Sequence, residues 1–188
     1  VEINARKGEY NPKRETGFLT DTYKFEGWAW FKRTVEFADT ENKVVKLFLE
    51  RTRITTLYID GTEIGTQESL CSPHVYDITD YVSDGAHEIV IRVSNVGYKT
   101  KGGHLTSPDT QTNWNGITGR MEIQLFEKNH AENVMIYPDV TGRAFRITAD
   151  MCGDSKGTAF VSAQSFNGSL IHCPETIEIS YSGGKLDC

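Results

Sequence analysis

The sequence lacks both long apolar runs and an excess of positive charge. No apolar run approaches the roughly 20 residues that a membrane-spanning helix needs, so a membrane is not an expected partner. The 20 Lys and Arg stand against 26 Asp and Glu, a formal net charge of −6, and no basic stripe could neutralise phosphates. Nucleic acid is therefore not an expected partner either. Residues 1–7 lack the apolar core of a signal peptide, so a signal peptide is absent, already removed, or outside this chain.

Cysteine is scarce, and its spacing does not suggest a metal site. Cys71, Cys152, Cys173 and Cys188 show no C-x-x-C pattern, and no two histidines stand four residues apart. The spacing therefore predicts no metal site, and no cofactor is expected. Cys152 and Cys173 could form a disulfide if they were cross-strand neighbours, but buried free thiols are the favoured interpretation. Several cysteines without obvious pairing favour a cytoplasmic location, with export as the alternative.

Helical periodicity is missing, whereas strand patterns are frequent. No segment repeats apolar residues at i, i+3, i+4 and i+7 over three turns, so any helix should be short. Short apolar or alternating runs predict these strands: Trp28–Phe37, Val44–Leu49, Thr56–Ile59, Glu63–Gly65, His87–Val93 and Met121–Phe126. Between two of them, Asp60-Gly61 is typical of a type I′ hairpin turn. Many short strands separated by turns predict an all-β sandwich or jelly roll.

A polar joint at Lys128–Glu132 precedes a second series of strands. The series consists of Val134–Tyr137, Ala144–Thr148, Ala159–Ala163 and Ile177–Tyr181. We therefore predict two domains, at 1–128 and 129–188. A β-sandwich of about 60 residues has a marginal core, which suggests that the second domain is partial.

The segment Gly153–Gly157 (GDSKG) matches the G-x-S-x-G pattern of a nucleophilic serine. That mechanism needs a strand before the serine and a helix after it, so that the hydroxyl is exposed on a strained turn. Here Thr158–Val161 predicts a strand instead. We interpret the motif as a hairpin turn and assign no catalytic residue.

The long polar stretch Gly97–Asn115 ends in a pattern typical of sugar recognition. Trp114 stands between Asn113 and Asn115, with Asp109 shortly before them. An indole face stacks on the C–H face of a pyranose, while amide and carboxylate groups bond its hydroxyls. The alternative is that Trp114 fills the core and the asparagines make turn hydrogen bonds. The residues themselves leave both interpretations open.

The order of several motifs carries a family resemblance. In chain order the motifs are Gly27–Arg33, Leu49–Thr52, Leu57–Gly65, Ser72–Thr79, Gly85–Asn95 and Asn113–Ile117. As an ordered set, they resemble the N-terminal sugar-binding domain of glycoside hydrolase family 2, the group of β-galactosidases, β-glucuronidases and β-mannosidases. The resemblance extends over roughly Phe18–Phe126.

The resemblance implies a galactose-binding-like jelly roll, then an immunoglobulin-like β-sandwich of which 129–188 would be a part, then a TIM barrel with two catalytic glutamates. Hydrolysis of O-glycosyl bonds would belong to the barrel, because retaining glycosidases need two carboxyl groups about 5 Å apart. This chain would be a non-catalytic part that packs on the barrel and forms one wall of its pocket. The expected ligand is a β-glycoside, and a homo-oligomer is left open.

Their positions relative to the family's motifs imply that Asp109 or Asn113 is the polar residue that this domain offers to the sugar. Asp21 would be a second such residue. Together with Trp114 and Asn115 they form the predicted substrate-binding set. The tip that follows (NGITGR) departs from the Gly-Ile-His-Arg of typical glucuronidases, so the preferred sugar is not identified.

Two other functions remain open. The same fold serves free-standing carbohydrate-binding modules, which hold glycans without cleaving them. Binding of a simple sugar that is lost on Trp114→Ala would favour such a module. A structural or adhesive β-sandwich without a ligand would instead bury Trp114 in its core and point Asp109 away from any concavity.

Overall fold

The computed structural model describes residues 9–10, 23–99, 114–169 and 175–188. The chain divides into two compact units, Val1–Leu125 and Phe126–Cys188. The sequence-based boundary lies between residues 128 and 129, close to this division. Within the described ranges, no helix combines the length and the apolar character that a membrane crossing requires.

The first unit is built from antiparallel strands. Its described strands are β1 (Glu9–Tyr10), β2 (Tyr23–Lys24), β3 (Trp28–Phe37), β4 (Lys43–Thr52), β5 (Ile54–Ile59), β6 (Thr62–Gln67), β7 (His74–Asp77), β8 (Gly85–Ser94) and β9 (Ile117–Glu127). A short 3-10 helix, Thr79–Tyr81, follows β7. The predicted strand Trp28–Phe37 has the bounds of β3, and the other strands predicted here lie inside β4, β5, β6, β8 and β9. The predicted all-β class is confirmed.

Two sheets of the first unit share one hydrophobic core. One sheet has the order β3-β8-β5-β6, and the other has the order β7-β4-β9. Both contribute to the buried cluster, which contains Phe37, Val45, Leu47, Leu49, Leu57, Ile59, Tyr76, Ile78, Ile89, Ile91 and Val93. Full burial of one such aliphatic or aromatic side chain contributes about 1.5–3 kcal/mol. The cluster is therefore the main source of stability of this sandwich.

A buried polar network joins the two sheets inside this core. His74 on β7 and Thr55 on β5 are fully buried. The Thr55 hydroxyl lies 2.6 Å from His74 Nδ1 and 2.7 Å from the Tyr76 hydroxyl. His74 Nε2 is 2.8 Å from the carbonyl oxygen of Ser69. Because a carbonyl only accepts, Nε2 carries a proton; burial lowers the pKa of His74 and favours the neutral ring, in which Nδ1 accepts from the Thr55 hydroxyl. The network thus holds a neutral imidazole between the sheets.

The β5–β6 hairpin closes at the predicted Asp60-Gly61 turn. Both residues have positive φ, 47° and 81°, as a type I′ turn requires. Asp60 Oδ1 accepts the backbone N–H of Glu88 at 2.7 Å, and Oδ2 lies 2.5 Å from His87 Nδ1. The hydrogen bond from the Glu88 N–H is the largest cause that holds the pKa of Asp60 below its usual value, and the hydrogen bond with His87 is the second. Asp60 therefore fixes the hairpin to β8.

The described strands of the second unit form one five-stranded sheet. They are β10 (His130–Asp139), β11 (Ala144–Cys152), β12 (Lys156–Val161), β13 (Ile177–Ser182) and β14 (Lys185–Asp187), in the order β10-β11-β14-β13-β12. Ile136 lies opposite Ile147, and Ala149 opposite Leu186, so these four side chains share one face. Ile136 on this face is 63% exposed. Ala149 and Leu186 on the same face are only 5% and 7% exposed, so the apolar face is covered at β11 and β14 and open at Ile136.

The GDSKG segment covers the turn between β11 and β12 and the first two residues of β12, and its Gly153 has a φ of 87°. Because β12 follows the turn, the strand–turn–helix arrangement of a nucleophilic serine is not present here. Cys71, Cys152 and Cys188 carry free thiols. Cys173 lies outside the described residues.

The buried imidazole predicts a pH dependence of stability. Burial lowers the pKa of His74, and the hydrogen bond to Ser69 only partly opposes this effect. As the pH falls through the unfolded-state pKa of about 6.5, the unfolded chain binds a proton that the folded chain does not, so the free energy of unfolding decreases. We expect this decrease between about pH 7.5 and pH 5.5 to be smaller in His74→Gln, measured by urea denaturation. An identical decrease in both proteins would contradict the assignment.

Candidate functional site

Two of the five predicted substrate-binding residues lie within the described part of the chain. Trp114 and Asn115 come shortly before β9, and both are half-buried. Asp21, Asp109 and Asn113 lie outside the described residues. The contacts of Trp114 and Asn115 show what each side chain already does inside the protein, but their contact with a sugar stays a prediction.

Trp114 is held by an arginine that joins β4 to β5. The Arg53 guanidinium lies over the indole, 4.3 Å from the ring centroid. Arg53 Nε also donates to the backbone carbonyl of Trp114 at 3.1 Å. The cation thus covers one face of the ring and fixes the backbone beneath it. A ligand would have to approach the other face or the edge of the indole.

Arg53 is a buried charge at this end of the sandwich. It is 3% exposed, and burial lowers its pKa. An arginine nevertheless stays protonated in proteins, so its hydrogen bonds carry charge. Burial raises the pKa of the neighbouring Tyr98, while the positive charge of Arg53 opposes that increase. Arg53, Tyr98 and Trp114 therefore form one compact cationic and aromatic cluster.

Asn115 uses its side chain to connect the ends of two strands. Its Nδ2 donates to the carbonyl oxygen of Gly27 at 2.9 Å and to that of Val93 at 3.4 Å. Fully buried Asn95 acts similarly, since its Oδ1 accepts from Gly27 N at 2.9 Å and its Nδ2 donates to Phe25 O at 2.7 Å. The Asn115 amide nitrogen therefore satisfies backbone groups at the start of β3 and the end of β8.

A second feature is an aromatic face on the sheet β3-β8-β5-β6, defined by Trp28, Trp30, Tyr58 and Arg92. Trp28 and Trp30 are 47% and 58% exposed. The Arg92 guanidinium lies 4.1 Å from the Trp28 ring centroid and 5.6 Å from that of Trp30. The Trp30 and Tyr58 ring centroids are 6.0 Å apart, with the planes at 32°. The aromatic face thus presents several rings side by side to solvent.

Polar contacts fix the aromatic face on the sheet. Arg92 Nη2 donates to Thr56 Oγ1 at 3.1 Å, and that hydroxyl is 2.8 Å from Thr66 Oγ1. A hydrogen bond with Glu63 is the largest cause of the raised pKa of Tyr58. Because these groups are linked across β8, β5 and β6, the rings are ordered before any ligand arrives, which reduces the entropy cost of binding.

Sequence reasoning missed the parts of both features that depend on long-range contacts. Arg53 and Trp114 are 61 residues apart in the chain, and no local pattern connects them. The aromatic face had a local signal, because Trp28 and Trp30 are separated by one residue on a predicted strand and must share a face. An exposed indole pair is chemically suited to stack on pyranose C–H faces or on an apolar partner surface.

Comparison with known proteins gives structural but not sequence relatives. The sequence matches no family model and no curated protein. Solved glycosidases match the fold. One is a calcium-binding mutant of Bacteroides uniformis β-glucuronidase 2, with a TM-score of 0.67 and 17% identity over 92% of this chain and 22% of that chain.

Two further solved structures support the same conclusion. A glycosyl hydrolase family 2 member from Bacteroides cellulosilyticus has a TM-score of 0.64 and 14% identity, over 92% of this chain and 24% of that one. Bifidobacterium dentium β-glucuronidase has a TM-score of 0.60 and 12% identity, over 85% of this chain and 34% of that one. This chain therefore spans about a fifth to a third of the length of the glycosidases that it matches. The resemblance to glycoside hydrolase family 2 is confirmed at the level of the fold.

The contacts of Arg53 predict a large effect of its removal. Arg53→Met keeps much of the side-chain volume but loses the charged hydrogen bond to Trp114 and the cation–π contact. We expect the free energy of unfolding to fall by about 1.5–3 kcal/mol, measured by urea denaturation with far-ultraviolet circular dichroism. The matched control is Arg51→Met, because Arg51 is exposed on the same segment. Equal stability losses in the two variants would show that Arg53 has no special role.

Proposed function

We propose that this chain is the non-catalytic N-terminal part of a family 2 glycoside hydrolase. In this proposal the first unit forms one wall of the substrate pocket and packs on a TIM barrel that lies outside the chain. Hydrolysis of the O-glycosyl bond belongs to the whole protein, and this part contributes to the positioning of a β-glycoside.

The observation that carries the proposal is the joint match to glycosidases. The fold likeness covers most of this chain and only a fraction of the matched glycosidases. The motif order from Gly27 to Ile117 also resembles the same family. A shared fold does not fix a function, but a sequence pattern and a structural likeness that converge on one enzyme family support a common role.

The geometry around Trp114 also suits a pocket wall. Its ring and backbone are fixed by Arg53, which leaves a half-buried indole at the end of the sandwich. A rigid aromatic group can orient a sugar without enclosing it. Effective sites bury most of their ligand, so such a wall needs a second surface, which the barrel would provide.

The simplest test is to read the coding sequence beyond the codon for Cys188. The proposal expects the remainder of an immunoglobulin-like domain and then eight alternating strands and helices with two glutamates at strand ends. A protein product that contains no such barrel would overturn the proposal.

We further expect the isolated chain to bind simple sugars weakly. Methyl β-glucuronide, β-galactoside and β-mannoside should show dissociation constants above about 1 mM, because one wall leaves most of the sugar in water. Titration monitored by heteronuclear NMR measures this range, and Trp114→Ala is the comparison variant. Tighter binding by the unmodified chain would instead favour a module that acts without a barrel.

The aromatic face favours one alternative function, a carbohydrate-binding module. Two exposed indoles on one sheet provide a surface on which successive sugar rings of a glycan could stack. In that case Trp30→Ala should abolish binding of a β-linked oligosaccharide, while Phe160→Ala should not. Phe160 is the matched control because it is also an exposed aromatic residue, on the second unit. No oligosaccharide binding by the unmodified chain would exclude this alternative.

A further inference from the structure

We propose that His130, Glu132 and Cys152 form a binding site for a divalent transition-metal ion, with Zn²⁺ as the best-suited ion. The site lies in the second unit, at the open end of the β10–β11 hairpin. One donor atom from each residue, an imidazole nitrogen, a carboxylate oxygen and the thiol sulfur, lies within 4.8 Å of the others. Nitrogen, oxygen and sulfur donors of these kinds are the protein ligands of zinc.

The strand register brings the three side chains together. His130 on β10 lies directly opposite Cys152 on β11 in the antiparallel pair. Glu132 follows His130 by two residues, and so it projects from the same face of the sheet. Since His130 and Cys152 are 22 positions apart in the chain, linear spacing gives no sign of this cluster. That is why the sequence predicts no metal site.

The hydrogen bonds of His130 prepare one ring nitrogen for a cation. Nδ1 is 2.7 Å from the carbonyl oxygen of Glu127, which can only accept, so Nδ1 carries a proton. Nε2 is 2.9 Å from Glu132 Oε1, a second acceptor. Both ring nitrogens therefore face acceptor oxygens. A cation between Nε2 and Glu132 would be bound by the nitrogen lone pair and by the carboxylate. Histidine ligands in metal sites commonly donate their other N–H to a carbonyl in this manner.

Among the residues that the structure describes, the cluster contains these three protein ligands, and its surroundings keep the imidazole in place. Phe126 stacks on His130, with ring centroids 5.1 Å apart and planes at 20°. The His130 side chain is 11% exposed, whereas that of Glu132 is 32% exposed, so solvent reaches the cluster from the carboxylate side. Asp150, opposite Glu132, is engaged by Lys185 and by Asn133 Nδ2. A water molecule would complete the coordination.

The cluster needs only a small adjustment to coordinate zinc. With Zn–N and Zn–O distances of about 2.0–2.2 Å and a Zn–S distance of about 2.3 Å, tetrahedral ligands stand about 3.4–3.6 Å apart. The observed separations extend from 2.9 Å, between His130 Nε2 and Glu132 Oε1, to no more than 4.8 Å. We expect rotation of the Cys152 and Glu132 side chains to span this difference. The bound ion would join the first residue of β10 to the last residue of β11.

The test uses the full chain, first treated with a chelator and then titrated with Zn²⁺ or Co²⁺. We expect one equivalent of Co²⁺ to give a thiolate-to-cobalt charge-transfer absorption and the ligand-field bands of a four-coordinate ion. Cys152→Ser should remove the charge-transfer absorption. His130→Gln and Glu132→Gln should each weaken Zn²⁺ binding by about tenfold or more, measured by competition with a chelating dye. The matched control, Cys71→Ser, alters an exposed thiol of the first unit and should bind as the unmodified chain does.

A second measurement does not depend on the folding of any variant. In the unmodified chain, saturating Zn²⁺ should slow iodoacetamide alkylation of Cys152 by about tenfold or more, because the coordinated thiolate is no longer free to react. Peptide mapping by mass spectrometry follows Cys152 and the exposed Cys71 in the same sample, and Cys71 should react at an unchanged rate. Unchanged alkylation of Cys152, or undiminished Zn²⁺ affinity in Cys152→Ser, would overturn the proposal.

Discussion

The alternation of side chains along a β-strand determines where the chemical groups of this protein lie. Ala29 faces the core of the first unit, and so its neighbours Trp28 and Trp30 must project from the other face of β3. The same constraint places His130 and Glu132 together on one face of β10. Hydrophobic burial selects which face of each strand points inward. The face from which each exposed side chain projects therefore follows from the packing of the core.

Local sequence patterns were sufficient for most of the strands but not for their partners. The alternation in Trp28–Phe37 and the Asp60-Gly61 turn were recognisable because each is a property of neighbouring residues. β7 (His74–Asp77) was missed, because four residues give too few repeats to show a period. Register and sheet order depend on the packing of the whole unit. Contacts between distant residues, such as Arg53 with Trp114, were therefore not predictable from either segment by itself.

The asparagines illustrate a limit of reading ligand chemistry from composition. An amide that would bond a sugar hydroxyl is also the group best suited to bond both the N–H and the C=O of the backbone. Asn95 does so with Gly27 and Phe25, and Asn115 spans Gly27 and Val93. Strand ends leave backbone groups without ladder partners, and burial makes such groups costly unless they are bonded. An asparagine beside a long loop is thus as well explained by strand termination as by recognition.

The two tryptophan sites differ in how much of a ligand they could cover. Trp114 offers part of one indole, because Arg53 occupies one face and the residue is half-buried. The aromatic face offers Trp28 and Trp30 side by side, each about half exposed. A partial indole orients a ligand that another surface encloses, whereas a row of rings can hold a chain of sugars by repeated stacking. Trp114 is therefore suited to a shared pocket in a larger enzyme. The aromatic face is suited to an extended ligand or to an apolar partner surface, and the glycosidase proposal does not depend on it.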